Sequence, residues 1–234
     1  MVLASCDDGD IHENVATSQT GLKVAIDANL SGVASWPSYY SVAVSGYENA
    51  ANTEEIPEYS VISKQMLSDV DGNVHLTLGG IPTTVNYIEI GIINQIRQRE
   101  FTIFQYEFTD DDKNSRDTIR IEAGHVDVGT YNRIQNDIFD ISCTRCHGDG
   151  NKAAANLYLT AGNSYKSLVG VLSSKETGFY RVCPGDSAAS VIHKVLLNNY
   201  PEVRMSHGDI LDAKQKSKLL KLIDYWIENG AKED

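Results

Sequence analysis

Apolar and polar residues alternate with a period of two through the first half of the chain, from Gly21 to about Gly129. This alternation is typical of half-buried β-strands. It occurs in seven segments, at residues 22–30, 39–47, 59–67, 73–80, 87–93, 101–108 and 118–128. Turn-forming residues separate them, such as Asp71-Gly72-Asn73 before the fourth segment. Seven short strands at this spacing predict an N-terminal all-β sandwich, immunoglobulin-like or fibronectin III-like in outline.

After Gly129 the hydrophobic period lengthens to that of a helix. Ile134, Ile138 and Ile141 fall on one face of a predicted helix that runs into the sequence DISCTRCHGDG at residues 140–150. Further helices are predicted at residues 164–174, 187–199 and 212–230, with Gly230 ending the last one. We therefore expect a second, all-α domain. The acidic segment 110–117, between two strands, is predicted to be a solvated turn.

This change of period predicts two domains behind a short leading segment. Residues 1–20 are expected to be a signal remnant and tether, residues 21–128 the β-sandwich domain, and residues 129–234 the helical domain. The length of 234 residues suits two modest domains, each large enough for its own core.

The composition limits the partners. The net charge of −12 argues against nucleic acid, which is bound chiefly through clusters of Lys and Arg. The start, Leu3-Ala4-Ser5-Cys6, resembles the end of a bacterial lipoprotein signal, in which Cys6 would carry the lipid. The alternative is a frayed terminus with an incidental cysteine. Lipidation would anchor the chain to a membrane without a spanning helix.

Two of the four cysteines, Cys143 and Cys146, are three residues apart, and His147 follows directly. A disulfide exchanger with this spacing lies beside a βαβ pattern, and a structural zinc site needs two more ligands, commonly from a second such pair. Neither pattern occurs in the sequence. The spacing therefore favours one covalently bound haem c, with two thiols for the vinyl groups and the imidazole as an axial iron ligand.

Four blocks of the second half resemble the small monohaem c-type cytochrome domains, class I-like, that are common in Bacteroidetes and Planctomycetes. They are YNRIQNDIFDISCTRCHG, NLYLTAGNSYKSLVGV, RVCPGDSAASVIHKVL and VRMSHGDILDAKQKSKLLKLIDYWIENGAK, within residues 131–232. The resemblance implies a cytochrome c fold, a haem iron and electron transfer. The strand-rich half lies outside it.

The resemblance also implies a sixth iron ligand. Met205 occupies the position of the family's methionine, but Ser206 replaces the proline that usually follows, which leaves His207 as a competing ligand. Arg181 and Arg204 are candidate partners of the haem propionates, whose charges favour cations. Tyr165, Tyr180 and Trp226 are candidate neighbours of the macrocycle. Cys183 is expected to be a buried small hydrophobe or, alternatively, a redox-active free thiol.

The sequence thus predicts an exported monohaem cytochrome c that carries single electrons and is not an enzyme. Since thioethers to haem are formed outside the bacterial inner membrane, we expect the periplasm, the outer membrane or the cell surface, with a lipid anchor. Expected partners are redox proteins and other subunits of a membrane complex. Two alternatives stay open: a haem enzyme with an open iron site, such as a peroxidase or gas-binding protein, and an extracellular binding or assembly subunit. For the latter, segment 36–40 (WPSYY) is the best candidate glycan loop.

Overall fold

The structure is a computed structural model that describes residues 21–51, 57–148, 150, 153–198, 200, 206–213 and 216–234. Its main elements are seven strands, and each overlaps one of the segments in which apolar and polar residues alternate. The strands are β1 (Leu22–Ser31), β2 (Tyr40–Tyr47), β3 (Ile62–Gln65), β4 (Asn73–Ile81), β5 (Tyr87–Asn94), β6 (Arg99–Glu107) and β7 (Ile119–Asp127).

The strands form two sheets. One has the order β4-β1-β7, and the other has the order β3-β2-β5-β6. All neighbouring strands are antiparallel except β1 and β7, which are parallel, with Ile26 opposite Ile121. This pair departs from the antiparallel sheets of the expected immunoglobulin-like outline. A parallel pair needs a long crossover, and the chain from β2 to β6 supplies it.

The core lies between the two sheets. On β1 the burial alternates strictly, and the inward residues include Val24 and Ile26. They belong to one hydrophobic cluster with Ile88, Ile90 and Ile92 of β5, which are all fully buried. Because β-branched side chains pack well on a pleated surface, these strands form where the apolar residues recur at every second position.

The second face of β5 is also buried, although it carries a charge. Glu89 is 1% exposed, and its carboxylate accepts hydrogen bonds from Arg99 at 2.9 Å, Thr102 at 2.7 Å and Gln105 at 2.7 Å. Arg99 also pairs with Glu58 at 2.6 Å. Buried charges persist in proteins when they are paired and hydrogen-bonded, and this network meets that condition.

Helical segments fill the remainder. The α-helices are α1 (Asp110–Asn114), α2 (Thr130–Ile134), α3 (Thr144–His147), α4 (Ser164–Leu168), α5 (Val191–Leu196) and α6 (Lys216–Glu228). A π-helix spans Gln135–Cys143, and 3₁₀ turns span Val33–Ser35, Ala154–Asn156 and His207–Ile210. In the part of the chain that the structure describes, no helix is long and apolar enough to cross a bilayer.

Helix α1 lies where the sequence predicted a solvated turn. Its start is a capping box: Asp112 N donates to Thr109 Oγ1 at 3.1 Å, and Thr109 N donates to the Asp112 carboxylate at 2.9 Å. The first-turn acids Asp110 and Asp111 also face the positive end of the helix dipole. The acidic run was interpreted only as solvated charge, and its capping signal was missed.

The predicted all-α cytochrome c domain is wrong. The residues that the structure describes form seven strands in two sheets with short helical segments, and are 29% helical. Among the described helices of the C-terminal half, α2 to α5 have only four to six residues, the π-helix between α2 and α3 has nine, and α6 has 13. Irregular backbone joined by isolated β-bridges, such as Val169–Val182 and Leu172–Tyr180, lies between α4 and α5.

The predicted helices are interrupted by glycines whose backbone is left-handed. The helix predicted over residues 164–174 ends at Leu168, because Val169 is extended and Gly170 has a φ of 67°. Gly178, with a φ of 87°, turns the chain back so that the two bridged segments can pair. A left-handed residue cannot continue a right-handed helix, so the apolar positions around it are buried in irregular structure.

The two halves also share one continuous core. Trp36 Nε1 donates to Val128 O at 2.5 Å, and the rings of Tyr40 and Tyr225 are 5.3 Å apart. At α2, the carboxylate of Asp234 accepts from the backbone N–H of Tyr131 at 2.5 Å. The strand-rich half and α6 therefore pack directly on each other. The boundaries proposed at residues 20 and 128 stay predictions.

Candidate functional site

The chain reaches the two neighbouring cysteines through a continuous helical stretch, α2, the π-helix and α3. Ile134 and Ile138 are buried as expected, but Ile141 is 68% exposed, so its assignment to the same face is wrong. The wider π-helix turn changes the phase, and Phe139 is buried instead. Single turns of π-helix frequently accompany functional sites.

Cys143, Cys146 and His147 lie on one helical face. Cys143 directly precedes α3, and the other two residues follow it by three and four positions, the spacing that brings side chains together on a helix. Cys143 is 8% exposed, whereas Cys146 is exposed, and both are free thiols. The pair therefore presents one sulfur at the edge of the core and one at the surface.

Burial raises the pKa of Cys143 to about 12, and the nearby Cys146 contributes in the same direction. A disulfide exchanger needs the opposite, a thiol with a lowered pKa that is ionised at neutral pH. The environment of Cys143 is thus unsuited to exchange. A buried, neutral thiol suits a structural or covalent attachment role.

His147 is oriented by a backbone hydrogen bond. Its Nδ1 lies 3.0 Å from Ala154 O, and its own carbonyl accepts from Leu159 N at 2.7 Å. Since a carbonyl only accepts, Nδ1 carries the proton and Nε2 carries the lone pair. Burial lowers the pKa of His147, which favours the neutral imidazole. This tautomer and this backbone partner are those of a metal-ligating histidine.

Arg181 holds the turn that orients His147. Its guanidinium donates to the carbonyl oxygens of Ser167 at 2.8 Å, Ala155 at 2.9 Å and Asn156 at 3.4 Å. Burial lowers the pKa of Arg181. The turn of residues 154–156 therefore has all three of its carbonyls hydrogen-bonded, one to His147 and two to Arg181. The predicted role of Arg181 toward a haem propionate stays a prediction.

The candidate sixth ligands are described only in part. His207 begins a 3₁₀ turn, is half-buried, and its ring centre lies 6.2 Å from that of His147, with the planes inclined by 34°. Met205, Arg204 and Cys6 lie outside the described residues. The described histidine therefore lies beside the cysteine motif, 60 residues further along the chain (207 − 147).

Several exposed apolar side chains occur in this half of the chain. Tyr180 is exposed and pairs through a backbone bridge with Leu172, which is exposed as well. The large exposed apolar residues after residue 140 are Ile141, Leu172, Phe179, Tyr180 and Leu197. By contrast, Tyr165 and Trp226 pack with Tyr131 in an aromatic cluster, so their role is core packing.

His193 and Cys183 are the other His and Cys residues after residue 129. His193 on α5 pairs with Asp224 on α6 at 2.7 Å and thereby links two helices. Cys183 is a partly exposed free thiol, so it is not the fully buried hydrophobe that was one of two expectations. Within the described ranges, no group of three or more His, Cys, Asp or Glu side chains could hold a metal ion.

The donor set fits a covalently bound haem. Two thiols share a helical face with an imidazole whose Nδ1 is fixed by the backbone, so Nε2 is the nitrogen left to bind iron. Sequence reasoning named these three residues, and their role stays a prediction, but it did not name Ala154, since a backbone acceptor has no side-chain signal. Sequence reasoning also missed the hydrogen bonds from Arg181 to the backbone, because the fold brings the accepting carbonyls together.

The chain matches none of the protein-family models, none of the curated proteins and none of the solved structures compared with it. The resemblance to monohaem cytochromes therefore stays a prediction from the sequence.

Proposed function

We propose that this protein is an exported c-type haem protein that transfers single electrons. The observation that carries the proposal is the arrangement around His147: its Nδ1 is committed to Ala154 O, and Cys143 and Cys146 lie on the same helical face. A disulfide exchanger needs no histidine held in that tautomer, and a structural zinc site needs four ligands, commonly from a second pair. We propose one covalently bound haem c as the cofactor.

The chain's residues have separate tasks in this proposal. Cys143 and Cys146 hold the group through two thioethers, so it cannot dissociate even with little protein around it. His147 supplies an iron ligand through Nε2, and Ala154 keeps its ring in one orientation. When bound, the haem accepts and donates one electron. Arg181 fixes the turn of residues 154–156 and limits how far the ligand can move.

The exposed apolar residues support the same proposal. Leu172 and Tyr180 form one bridged pair, and Ile141 is exposed two residues before Cys143. A large planar apolar group attached at the cysteines would need apolar surface on the chain to cover it, and exposed apolar side chains supply such surface. We propose that they contact the macrocycle, while Arg181 and Arg204 stay candidate partners of its propionates.

The charge of the chain indicates the kind of redox partner. With a net charge of −12, encounter is fastest with a partner whose docking surface is basic, and added salt slows it. We propose redox proteins with such a surface, together with other subunits of a membrane complex, as partners. Export is part of the proposal, since thioether formation takes place outside the inner membrane. A lipid anchor on Cys6 is proposed as well.

Two alternatives have less support. A haem enzyme needs an open iron position, and the ring of His207 lies 6.2 Å from that of His147. A glycan-binding module would use exposed aromatic residues, but Trp36 is buried and bonded to Val128, and Tyr39, which is 40% exposed, packs with Tyr40 on Tyr225. Segment 36–40 therefore joins the sheet to α6.

The test is production of the full chain in a bacterial host with working export and c-type maturation. We expect a coloured protein whose haem stays with the polypeptide after denaturation in acid and organic solvent. The control is the same chain with both Cys143→Ala and Cys146→Ala, which we expect to carry no covalent haem. Haem that is extracted by the solvent from the wild type would contradict the proposal.

A further inference from the structure

We infer that His207 is the second axial ligand, so that the haem iron is held between two imidazoles, those of His147 and His207. The inference rests on the proposed function and deepens it. It differs from the sequence expectation that Met205 occupies this position.

The spacing of the two rings is the first argument. A metal bound by two imidazoles lies about 2 Å from each ligating nitrogen, and each nitrogen lies roughly 1 Å from its ring centre. One metal between two opposed imidazoles therefore separates the ring centres by about 6 Å. His147 and His207 are separated by 6.2 Å.

The assignment of nitrogens is the second argument. Nδ1 of His147 is directed at Ala154 O, so Nε2 carries the lone pair that a metal would bind. His147 is held by α3 and His207 by a 3₁₀ turn distant in sequence. The two ligands therefore come from separate elements, as is needed for ligands on opposite sides of a planar group.

The third argument is that the backbone beside His207 is fixed. Gly208 is buried, and its N–H donates to Asn198 Oδ1 at 2.9 Å. A Cβ on Gly208 would lie 2.2 Å from Leu196 O at the end of α5, so only glycine permits this close approach. Asn198 Nδ2 also donates to Asp209 Oδ1 at 3.1 Å. These contacts hold the turn against α5 and place His207 beside the cysteine motif.

Two imidazoles close both axial positions of the iron. The expected protein is low-spin in both oxidation states and does not bind carbon monoxide readily. A bis-imidazole iron also has a lower reduction potential than one with a methionine ligand, because a thioether favours the reduced metal. This places the protein among low-potential electron carriers.

The test uses the holoprotein and reads the ligands directly. The near-infrared band of the oxidised wild type distinguishes two imidazoles from imidazole and methionine without any substitution. We expect the bis-imidazole position and no weak long-wavelength methionine band. In His207→Ala we expect a high-spin ferric spectrum, carbon monoxide binding to the ferrous form, and restoration of the low-spin spectrum by added imidazole. His193→Ala is the matched control and should keep the wild-type spectrum.

Met205→Leu distinguishes the rival ligand. Loss of the low-spin spectrum in Met205→Leu, together with a methionine band in the wild type, would overturn the inference and leave the proposed haem protein intact. A wild-type spectrum in His207→Ala would overturn it as well. A wild type without covalent haem would overturn the proposed function itself, so the two failures are separable. Recovery with imidazole also shows that His207→Ala is folded.

Discussion

Nδ1 of His147 lies 3.0 Å from the carbonyl oxygen of Ala154, seven residues along the chain. The next two carbonyls, those of Ala155 and Asn156, accept hydrogen bonds from Arg181. Ala155 and Asn156 have left-handed backbones, with φ of 57° and 50°, so the turn is unfavourable without outside support. Arg181 supplies this support and therefore positions the histidine indirectly.

Arg181→Ala should loosen the turn and with it the orientation of His147. We expect a loss of about 1.5 to 3 kcal/mol in the free energy of unfolding, the range for hydrogen bonds that involve a charged group. In the holoprotein we expect a mixture of spin states in place of one low-spin species. Denaturant titration and the visible spectrum measure the two effects.

Arg145→Ala is the control for that substitution, since Arg145 is an exposed arginine on α3 itself. It should leave both the stability and the spectrum within error of the wild type. Equal effects of the two substitutions would show that the change in net charge, and not the loss of hydrogen bonds to the turn, causes the lower stability and the altered spectrum.

Cys143 and Cys146, but not Cys183, should contribute to haem attachment. Cys143→Ala and Cys146→Ala should each leave at most one thioether, which shifts the absorption of the reduced pyridine complex to longer wavelength because one vinyl group stays unsaturated. Cys183→Ala should keep both thioethers, because Cys183 lies outside the helical face that carries the motif. The intact mass and the absorption of the pyridine complex of each variant give the number of thioether bonds.

The capping box of α1 should make stability depend on pH. Hydrogen bonds from the backbone and side chain of Thr109 and from Tyr106 lower the pKa of Asp112 below its ordinary value of 3.8. A carboxyl with a lowered folded pKa stabilises the fold fully above pH 3.8, and this contribution is lost as the pH falls through the lowered pKa. Asp112→Asn should remove it.

The measurement is the difference in unfolding free energy between the wild type and Asp112→Asn across that range. It should be largest above pH 3.8 and shrink on acidification. Asp111→Asn, with the same change of charge at a first-turn neighbour outside the capping box, should show a smaller trend. An unchanging difference for Asp112→Asn would exclude the capping box as the source.

The buried pair Glu89 and Arg99 should be costly to break. Glu89→Ala leaves the guanidinium of Arg99 without its buried partner, for which we expect a loss of about 3 to 5 kcal/mol in the free energy of unfolding. Glu58, the second partner of Arg99, is more exposed, so Glu58→Ala should cost clearly less. Denaturant unfolding of both variants tests the order, and equal costs would contradict it.

The strands could be predicted because each one buries every second residue against the opposite sheet. Residues 73–80 alternate without exception until Gly79, and β4 occupies that segment. The parallel pairing of β1 with β7 could not be predicted, since alternation says which face is buried but not which strand is the neighbour. The buried Glu89 was hidden for a similar reason, because its partners Arg99, Thr102 and Gln105 come from another strand.

The helical half was harder to predict because short apolar runs suit several structures. Leu172 has helical spacing from Leu168, yet it lies in bridged backbone beyond a left-handed Gly170, and Val169, just before that glycine, is already extended. The cysteine motif was visible because its chemistry is local in sequence. Its support by Ala154, Arg181 and His207 was partly or wholly hidden, since the fold brings those groups together.

The central claim is that Cys143 and Cys146 carry one haem and that His147 binds its iron. The most direct measurement is the intact mass and visible spectrum of the full chain, made with working export and c-type maturation. The account predicts a red protein, heavier than its processed polypeptide by one haem, with the sharp bands of a low-spin c-type haem on reduction. A colourless protein with the mass of the bare polypeptide would contradict it.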